Sequence, residues 1–288
     1  DSLNAIHHTS YPLKYWRILI GIWLWHFIGV LYDRYKRIEN AVALFPDLYT
    51  HISLTEYEKL IPWDSFDFIN SALKDSYNFQ IFSIIINDLY PEHGVKIKNV
   101  YNPQHFKREF KCNLKSKVFN FFMDNLPGKS EVILTEMYHL SNLDKLSLKL
   151  SPIGKKISFI DFLDIDLHIE DIAIDEHARK DIKLEGGPNV FRSLLYRMIP
   201  RSLPKCYVEG FKSYDTFINN FKRRKKAIKI LGSAVGWYYN EVFKFLAAKS
   251  ILSGNKIVEF QHGGGYGYAS YMPEEVFALD KDIFYTWG

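Results

Sequence analysis

Residues 227–267 read AIKILGSAVGWYYNEVFKFLAAKSILSGNKIVEFQHGGGYG, and their alternation decides the fold. An aliphatic run at 227–231 (AIKIL) predicts a strand, and Gly232-Ser233-Ala234-Val235-Gly236 a turn of small residues. A helix is then predicted over 237–253, stopped by Gly254. The next strand is 256–260 (KIVEF), followed at once by Gln261-His262-Gly263-Gly264-Gly265-Tyr266-Gly267. A short helix near 273–279 leads to a last strand at 283–286. Strands that alternate with helices in this way pair in parallel, giving an α/β, Rossmann-like parallel sheet wrapped by helices. Ligands of such sheets collect at the carboxyl ends of the strands, so both glycine-bearing turns are expected on that rim.

Working outward, the last strand has almost nothing after it. Parallel strands lead into crossover helices, which predicts that the protein continues beyond residue 288. Upstream, 131–135 (EVILT) and 156–160 (KISFI) read as strands separated by a helix at 143–150. Residues 129–288 therefore form the Rossmann-like portion, and 1–128 a helix-rich portion of the same domain. In that first portion Pro12 opens a helix running to about residue 37. Helices follow at 64–74, with Asp64 as N-cap, and at 77–89. Another begins at Pro103, carries Phe106, Phe110, Leu114, Val118, Phe121 and Phe122 at three- and four-residue steps, and stops at Pro127-Gly128. Residues 189–199 predict a further helix, ended by Pro200 and Pro204.

The stretch 18–32 (ILIGIWLWHFIGVLY) is almost continuously apolar. As a helix it spans roughly 22 Å, short of the ~30 Å hydrocarbon core, and His26 adds a cost in lipid. It reads as a buried helix, or as one resting on a bilayer surface. The 288 residues are 47% hydrophobic and 24% charged, which excludes a disordered chain and a polytopic membrane protein. With 22 Phe and 19 Tyr against 4 Met, the core must be aromatic. A net charge of +4 is too small to demand a nucleic-acid partner. The two cysteines, Cys112 and Cys206, form neither a disulfide framework nor a metal spacing, and suit a reducing cytoplasm.

The chemistry is concentrated in the second turn. Four glycines in five positions are costly unless the backbone needs positive φ or a close approach by a ligand. Such loops present amide N–H groups to anions, and His262 at a strand end can serve as general base or phosphate donor. No Gly-Lys-Ser/Thr follows, as a Walker A loop requires, and no Gly-x-Ser-x-Gly elbow accompanies the His-Gly-Gly-Gly run as in esterases. A tight turn with a capping histidine is the plainer reading. In the first turn Ser233 either caps the following helix or, with Glu241, borders a ligand. The basic run 222–226 (KRRKK) is a solvated helix end, or a contact for anionic lipid or a phosphorylated acceptor. The acidic stretch 161–181 lacks the glycine and closing glutamate of an EF-hand and reads as solvated.

Residues 2–24 (SLNAIHHTSYPLKYWRILIGIWL), 203–211 (LPKCYVEGF), 236–267 and 283–288 (IFYTWG) together resemble a family of bacterial transferases of lipopolysaccharide O-antigen and surface-carbohydrate loci. More distantly, a strand ending in His-Gly is similar to the capsule Kdo transferases and the teichoic acid glycerophosphate polymerases. The resemblance implies the acceptor-side half of a two-domain GT-B glycosyltransferase, cytoplasmic, with its donor domain beyond residue 288 and possible peripheral contact with the inner membrane. It implies a nucleotide-sugar donor, weakly a CMP-linked nonulosonic or Kdo-type sugar, and a saccharide or lipid-linked acceptor. His262 is then the base or a phosphate contact, Gly263, Gly264 and Gly265 amide donors, and Gln261 or Tyr266 the groups that orient the sugar. Asn4, His7, Tyr15, Trp16 and Arg17 would line an acceptor pocket. The Asp164-Ile165-Asp166 run belongs to the acidic stretch read as solvated, so metal-independent chemistry without a cofactor is expected. The alternatives are a CDP-alcohol phosphotransferase built on the same loop, and a non-catalytic module that docks through 18–32.

Overall fold

The computed structural model describes residues 1–98, 104–106, 131–137, 140–160, 167, 172–184, 189–224, 228–263 and 282–286. The chain falls into two units: Asp1–Ser10, Trp23–Arg108 and His168–Phe211 in the first, and Tyr11–Ile22, Glu109–Leu167 and Lys212–Gly288 in the second.

The first unit is mainly helical. It holds α1 (Ser2–Ile6), most of α2 (Leu13–Leu44), α3 (Ser65–Ala72), α4 (Asp75–Leu89), and two short parallel strands, β1 (Thr50–Ile52) and β2 (Gly94–Lys96). α2 outruns its expected end at residue 37, because no breaker intervenes before Pro46. Its length and apolarity would suit a membrane crossing, yet half of its most apolar window is buried in the protein. Trp23 is 1% exposed, stacked on Phe27 at 5.1 Å and edge-on to Phe68 at 6.2 Å. Trp25 and Tyr32 are the aromatic side chains of 18–32 that face outward, so Trp23 is core and not a surface anchor. Asp64 caps α3 as expected, accepting from the Asp67 N–H at 2.8 Å. Buried Asp67 in turn accepts from the N–H groups of Trp63 (2.8 Å) and Phe106 (2.7 Å).

Two more helices belong to this unit, α6 (Glu176–Lys180) and α7 (Val190–Ser202). α5 (Asn142–Leu150) precedes them in the chain but sits in the second unit. α7 does not end at Pro200 but carries it inside its last turn. The last carbonyls of a helix have no intrahelical donor, and Pro204 has no N–H to offer that of Pro200; the Arg179 guanidinium donates to the carbonyls of Pro200 (2.8 Å) and Leu203 (2.9 Å). The same guanidinium forms a two-pronged pair with Glu209, both distances 2.7 Å and both side chains 3% exposed. Within the acidic stretch, Asp175 caps α6, Glu176 pairs with Lys180, and Asp181 lies near His177. The predicted helix from Pro103 and most of 161–174 lie outside the described residues.

The second unit carries β3 (Val132–Thr135), β4 (Ile157–Phe159), β5 (Ile230–Ser233), β6 (Lys256–Phe260) and β7 (Ile283–Tyr285) in one all-parallel sheet of order β4-β3-β5-β6-β7. The Rossmann-like reading is therefore the observed architecture. Ile133, Leu231 and Ile257 lie in register across the three central strands, each 0% exposed, and form the middle of the core. α5 enters through a capping box between Ser141 and Asp144, with bonds of 3.2 and 2.9 Å. α8 (Phe211–Arg224) stacks Tyr214 on Phe245 at 4.7 Å. β5 begins and ends later than the aliphatic run suggested, because its ladder to β3 takes in Gly232 and Ser233. The helix predicted over 237–253 is two, α9 (Gly236–Tyr239) and α10 (Glu241–Ile251), split at Asn240. The predicted helix at 273–279 lies outside the described residues.

At the amino-terminal edge of this sheet Lys249 meets Asp215 at 2.6 Å and the Tyr11 hydroxyl. Its ammonium is held above the ordinary lysine range: burial opposes this, but its hydrogen bonds to Asp215 and Tyr11 and the charges of those groups outweigh it. Lys222, from the basic run, donates to the Lys249 carbonyl (3.2 Å) and to Ser253 (2.6 Å), and burial lowers its pKa. That residue serves as a tie within the fold. Lys225 and Lys226 lie outside the described residues.

Arg179→Met should destabilise the protein by about 3–5 kcal/mol, because Glu209 would be left charged and buried without its partner. Urea unfolding followed by tryptophan fluorescence measures this.

Candidate active site

β4 lies on one side of β3 and β5 on the other, so the chain reverses its direction of travel across the sheet between β3 and β5. At such a switch the connections leave the two strand ends in opposite directions and open a crevice at their carboxyl ends. The register there aligns Thr135 with Ser233, and Ser233 with Glu259. These three lie on one face of the sheet, one pleat beyond the apolar row of Ile133, Leu231 and Ile257. They are 2%, 0% and 2% exposed. The Thr135 hydroxyl finds no hydrogen-bond partner among the described residues, a condition that costs about 1–3 kcal/mol for a buried group.

The turn after β5 is built around Ser233. Its Oγ accepts from the Gly236 N–H at 2.8 Å, and its carbonyl from the Trp237 indole N–H at 3.1 Å. The hydroxyl thus tightens the turn that leads into α9, whose N-cap residue is Val235. Gly236 is required by crowding: a Cβ there would sit 2.8 Å from Ser233 Oγ and from Phe243 Cδ1, and 3.0 Å from Glu136 Oε2.

That last distance locates a carboxylate the sequence reading passed over. Glu136 follows β3 directly with φ +51°, one of two non-glycine residues at positive φ among those described. The conformation costs roughly 1–2 kcal/mol for an L-residue with a side chain. Its Oε1 accepts from Asn240 Nδ2 at 2.9 Å, while Asn240 Oδ1 accepts from the Phe243 N–H at 3.0 Å. One amide thus caps α10 and orients Glu136. The available signal was the asparagine itself, a cap-forming residue in the middle of a predicted helix.

The predicted site residues separate into distinct roles. Glu241 is 4% exposed and its Oε1 lies 2.7 Å from Lys244 Nζ, a fully buried side chain. His262, two residues beyond β6, is half-buried, its ring edge-on to Tyr238 at 5.4 Å. Gln261 pins the loop: its N–H donates to the Tyr285 carbonyl at 2.8 Å and its side-chain amide to the Gly263 carbonyl at 2.7 Å. Gly264, Gly265 and Tyr266 lie outside the described residues. Glu136 and His262 thus flank the turn 233–240, one touching Asn240 and the other Tyr238. Their strands, β3 and β6, lie two strand spacings apart, about 10 Å.

The residues of the N-terminal stretch make contacts of their own. His7 stacks on Phe211 at 3.9 Å and bonds the Tyr207 carbonyl at 2.9 Å, and Thr9 donates to Asn4 at 2.9 Å. Tyr15 and Trp16 are buried core aromatics, and burial drives the Tyr15 hydroxyl well above the ordinary tyrosine range. Among the described residues no three His, Cys, Asp or Glu side chains gather as a bound metal would need.

A parallel sheet whose carboxyl edge gathers a carboxylate, an imidazole and a serine-glycine turn belongs to the Rossmann-like α/β proteins that handle ligands at strand ends. Over residues 1–288 the chain matches the model of the LIC12162 family transferase, and it belongs to that family. It is accordingly an enzyme of the transferase type. No curated protein and no solved structure matches it.

Gly236→Ala should destabilise the protein by about 1–3 kcal/mol through overpacking against Phe243 and Ser233. Thermal unfolding of the purified variant measures the loss.

Proposed function

We propose that this transferase is a glycosyltransferase of bacterial surface-polysaccharide biosynthesis, making O-antigen or capsule. It moves a sugar, of the CMP-linked nonulosonic or Kdo type, from a nucleotide-activated donor to a saccharide or lipid-linked saccharide acceptor. The observation that carries this reading is the arrangement at the carboxyl edge of the sheet. The His262 loop and the Ser233–Asn240 turn lie side by side there, held together by the Tyr238–His262 contact. Glycosyl transfer needs a base for the acceptor hydroxyl and neutralising groups for the leaving phosphate. An imidazole at a strand end, with the glycine-rich sequence that follows it, is the residue set such groups call for.

The wider reading follows from the same resemblance. In that reading the enzyme is of the GT-B type and independent of metal, and it works in the cytoplasm with peripheral contact at the cytoplasmic face of the inner membrane. Nucleic acid has no part in it.

His262→Ala should lower transfer by roughly 10²–10⁴-fold, the usual worth of a positioned acid or base, with an unchanged circular dichroism spectrum. The assay offers CMP-, CDP-, UDP- and GDP-linked donors with a panel of octyl glycosides, and mass spectrometry reads the product. A glycosidic linkage supports the proposal. Phosphate retained in the new linkage would make the enzyme a phosphoalcohol transferase instead, and full activity in the alanine variant would remove His262 from the chemistry.

A further inference from the structure

The helical first unit holds a cavity of about 250 Å³, bounded by the chain leaving β1, the 3₁₀ turn Tyr57–Leu60, α4 and α7. Each of these elements brings polar groups to it: Thr55, Tyr57, Asn87 and Asp88, Arg201 and Ser202. Leu60 and Met198, 6% and 3% exposed, supply an apolar wall. The fold holds this polar set in place. The Thr55 N–H donates to the buried Gln80 side chain at 3.0 Å. Arg179, bonded to the carbonyls of Pro200 and Leu203, fixes the last turn of α7, on which Arg201 and Ser202 stand. The Arg201 guanidinium lies over the Tyr57 ring, 5.8 Å from its centre, a contact that orders a long side chain. The Thr55 hydroxyl is shielded from water and has no partner among the described residues, at a cost to stability. Rotation about χ1 would turn it into the cavity that its own side chain lines, where a ligand hydroxyl could pair with it.

We propose that this cavity binds one uncharged pyranose ring and serves as a saccharide anchor within the helical unit. Its size argues for a single ring: it falls below the ~300–1,000 Å³ of sites for drug-sized ligands and is too small for a sugar nucleotide. Its charge argues for a neutral ligand. Asp88 accepts from the Asn87 amide at 3.3 Å and lies 3.5 Å from the Arg197 guanidinium, so its charge is met from within the protein. Arg201 is the cation of the opposite wall, and the cavity presents no excess of either sign. What remains is a dense set of donors and acceptors, namely hydroxyls, an amide, a carboxylate and a guanidinium. Alternating hydroxyls around a sugar ring use such a set, while the C–H face of the ring lies against Leu60 and Met198. The inference is independent of the transfer chemistry, since none of these residues belongs to the five-stranded sheet.

The test uses the full chain with its methionine methyl groups labelled for NMR. The sequence has 4 Met, and Met198→Leu, which nearly conserves volume, assigns the signal from the cavity wall. The probes are the methyl glycosides of glucose, galactose, mannose and N-acetylglucosamine, added one at a time. At least one should shift the Met198 signal saturably, with an affinity in the millimolar range. Arg201→Ala and Asn87→Ala, which truncate side chains outside the core, should each weaken that binding tenfold or more with an unchanged melting temperature. No shift of Met198 with any glycoside, a shift produced instead by inorganic phosphate or glycine, or equally tight binding in both variants would overturn the proposal. A shift without transfer product from any donor would keep this site and remove only the glycosyltransferase reading. Transfer without the shift would do the reverse.

Discussion

The site depends on how the sheet orders its parallel strands. β3 sends the chain outward to β4, and the chain then returns to lay β5 on the other flank. Two strands that leave in opposite directions cannot close over their own carboxyl ends, so a crevice opens there whatever the side chains are. The hydrogen-bond register then decides which residues border it: Thr135, Ser233 and Glu259 end in line because β3, β5 and β6 pair without a bulge. Local chemistry only finishes the arrangement. Ser233 tightens the turn, Gly236 makes space, and Asn240 breaks the helix so that one side chain serves both α10 and Glu136.

The two edges of the sheet differ in kind. The amino-terminal edge is tied by charge, with Lys249 on Asp215 and Asp282 near both Lys14 (3.8 Å) and Lys256 (3.7 Å). The carboxyl edge instead holds a strained backbone at Glu136 and a buried Thr135 hydroxyl with no partner among the described residues, features that cost stability.

Much of this architecture was legible in 227–267. Period-two runs, small-residue turns and an apolar helix gave parallel strands and put both turns on one rim, since those signals arise from local geometry. The apolar stretch 18–32 was legible as a helix too short to span a bilayer, while its burial against Phe68 was set by contacts distant in sequence. What could not be read were features set by partners distant in sequence. Glu136 looks like any acid after a strand until Asn240, about a hundred residues on, is brought beside it. Pro200 reads as a stop, but Arg179 satisfies the carbonyls that the last turn leaves open. Ser233 belongs to β5 because β3 extends the ladder to it, a pairing that the turn-like composition of 232–236 concealed.

The claim that chemistry takes place at the carboxyl edge is tested most directly by hydrogen–deuterium exchange. The full chain would be compared alone and with the sugar nucleotide and glycoside that support turnover. The account predicts slowed exchange at 135–137, 233–240 and 261–263, with the opposite edge around Lys249 and Asp282 unchanged. Protection confined to that opposite edge or to the helical first unit, with none at the ends of β3, β5 and β6, would contradict it.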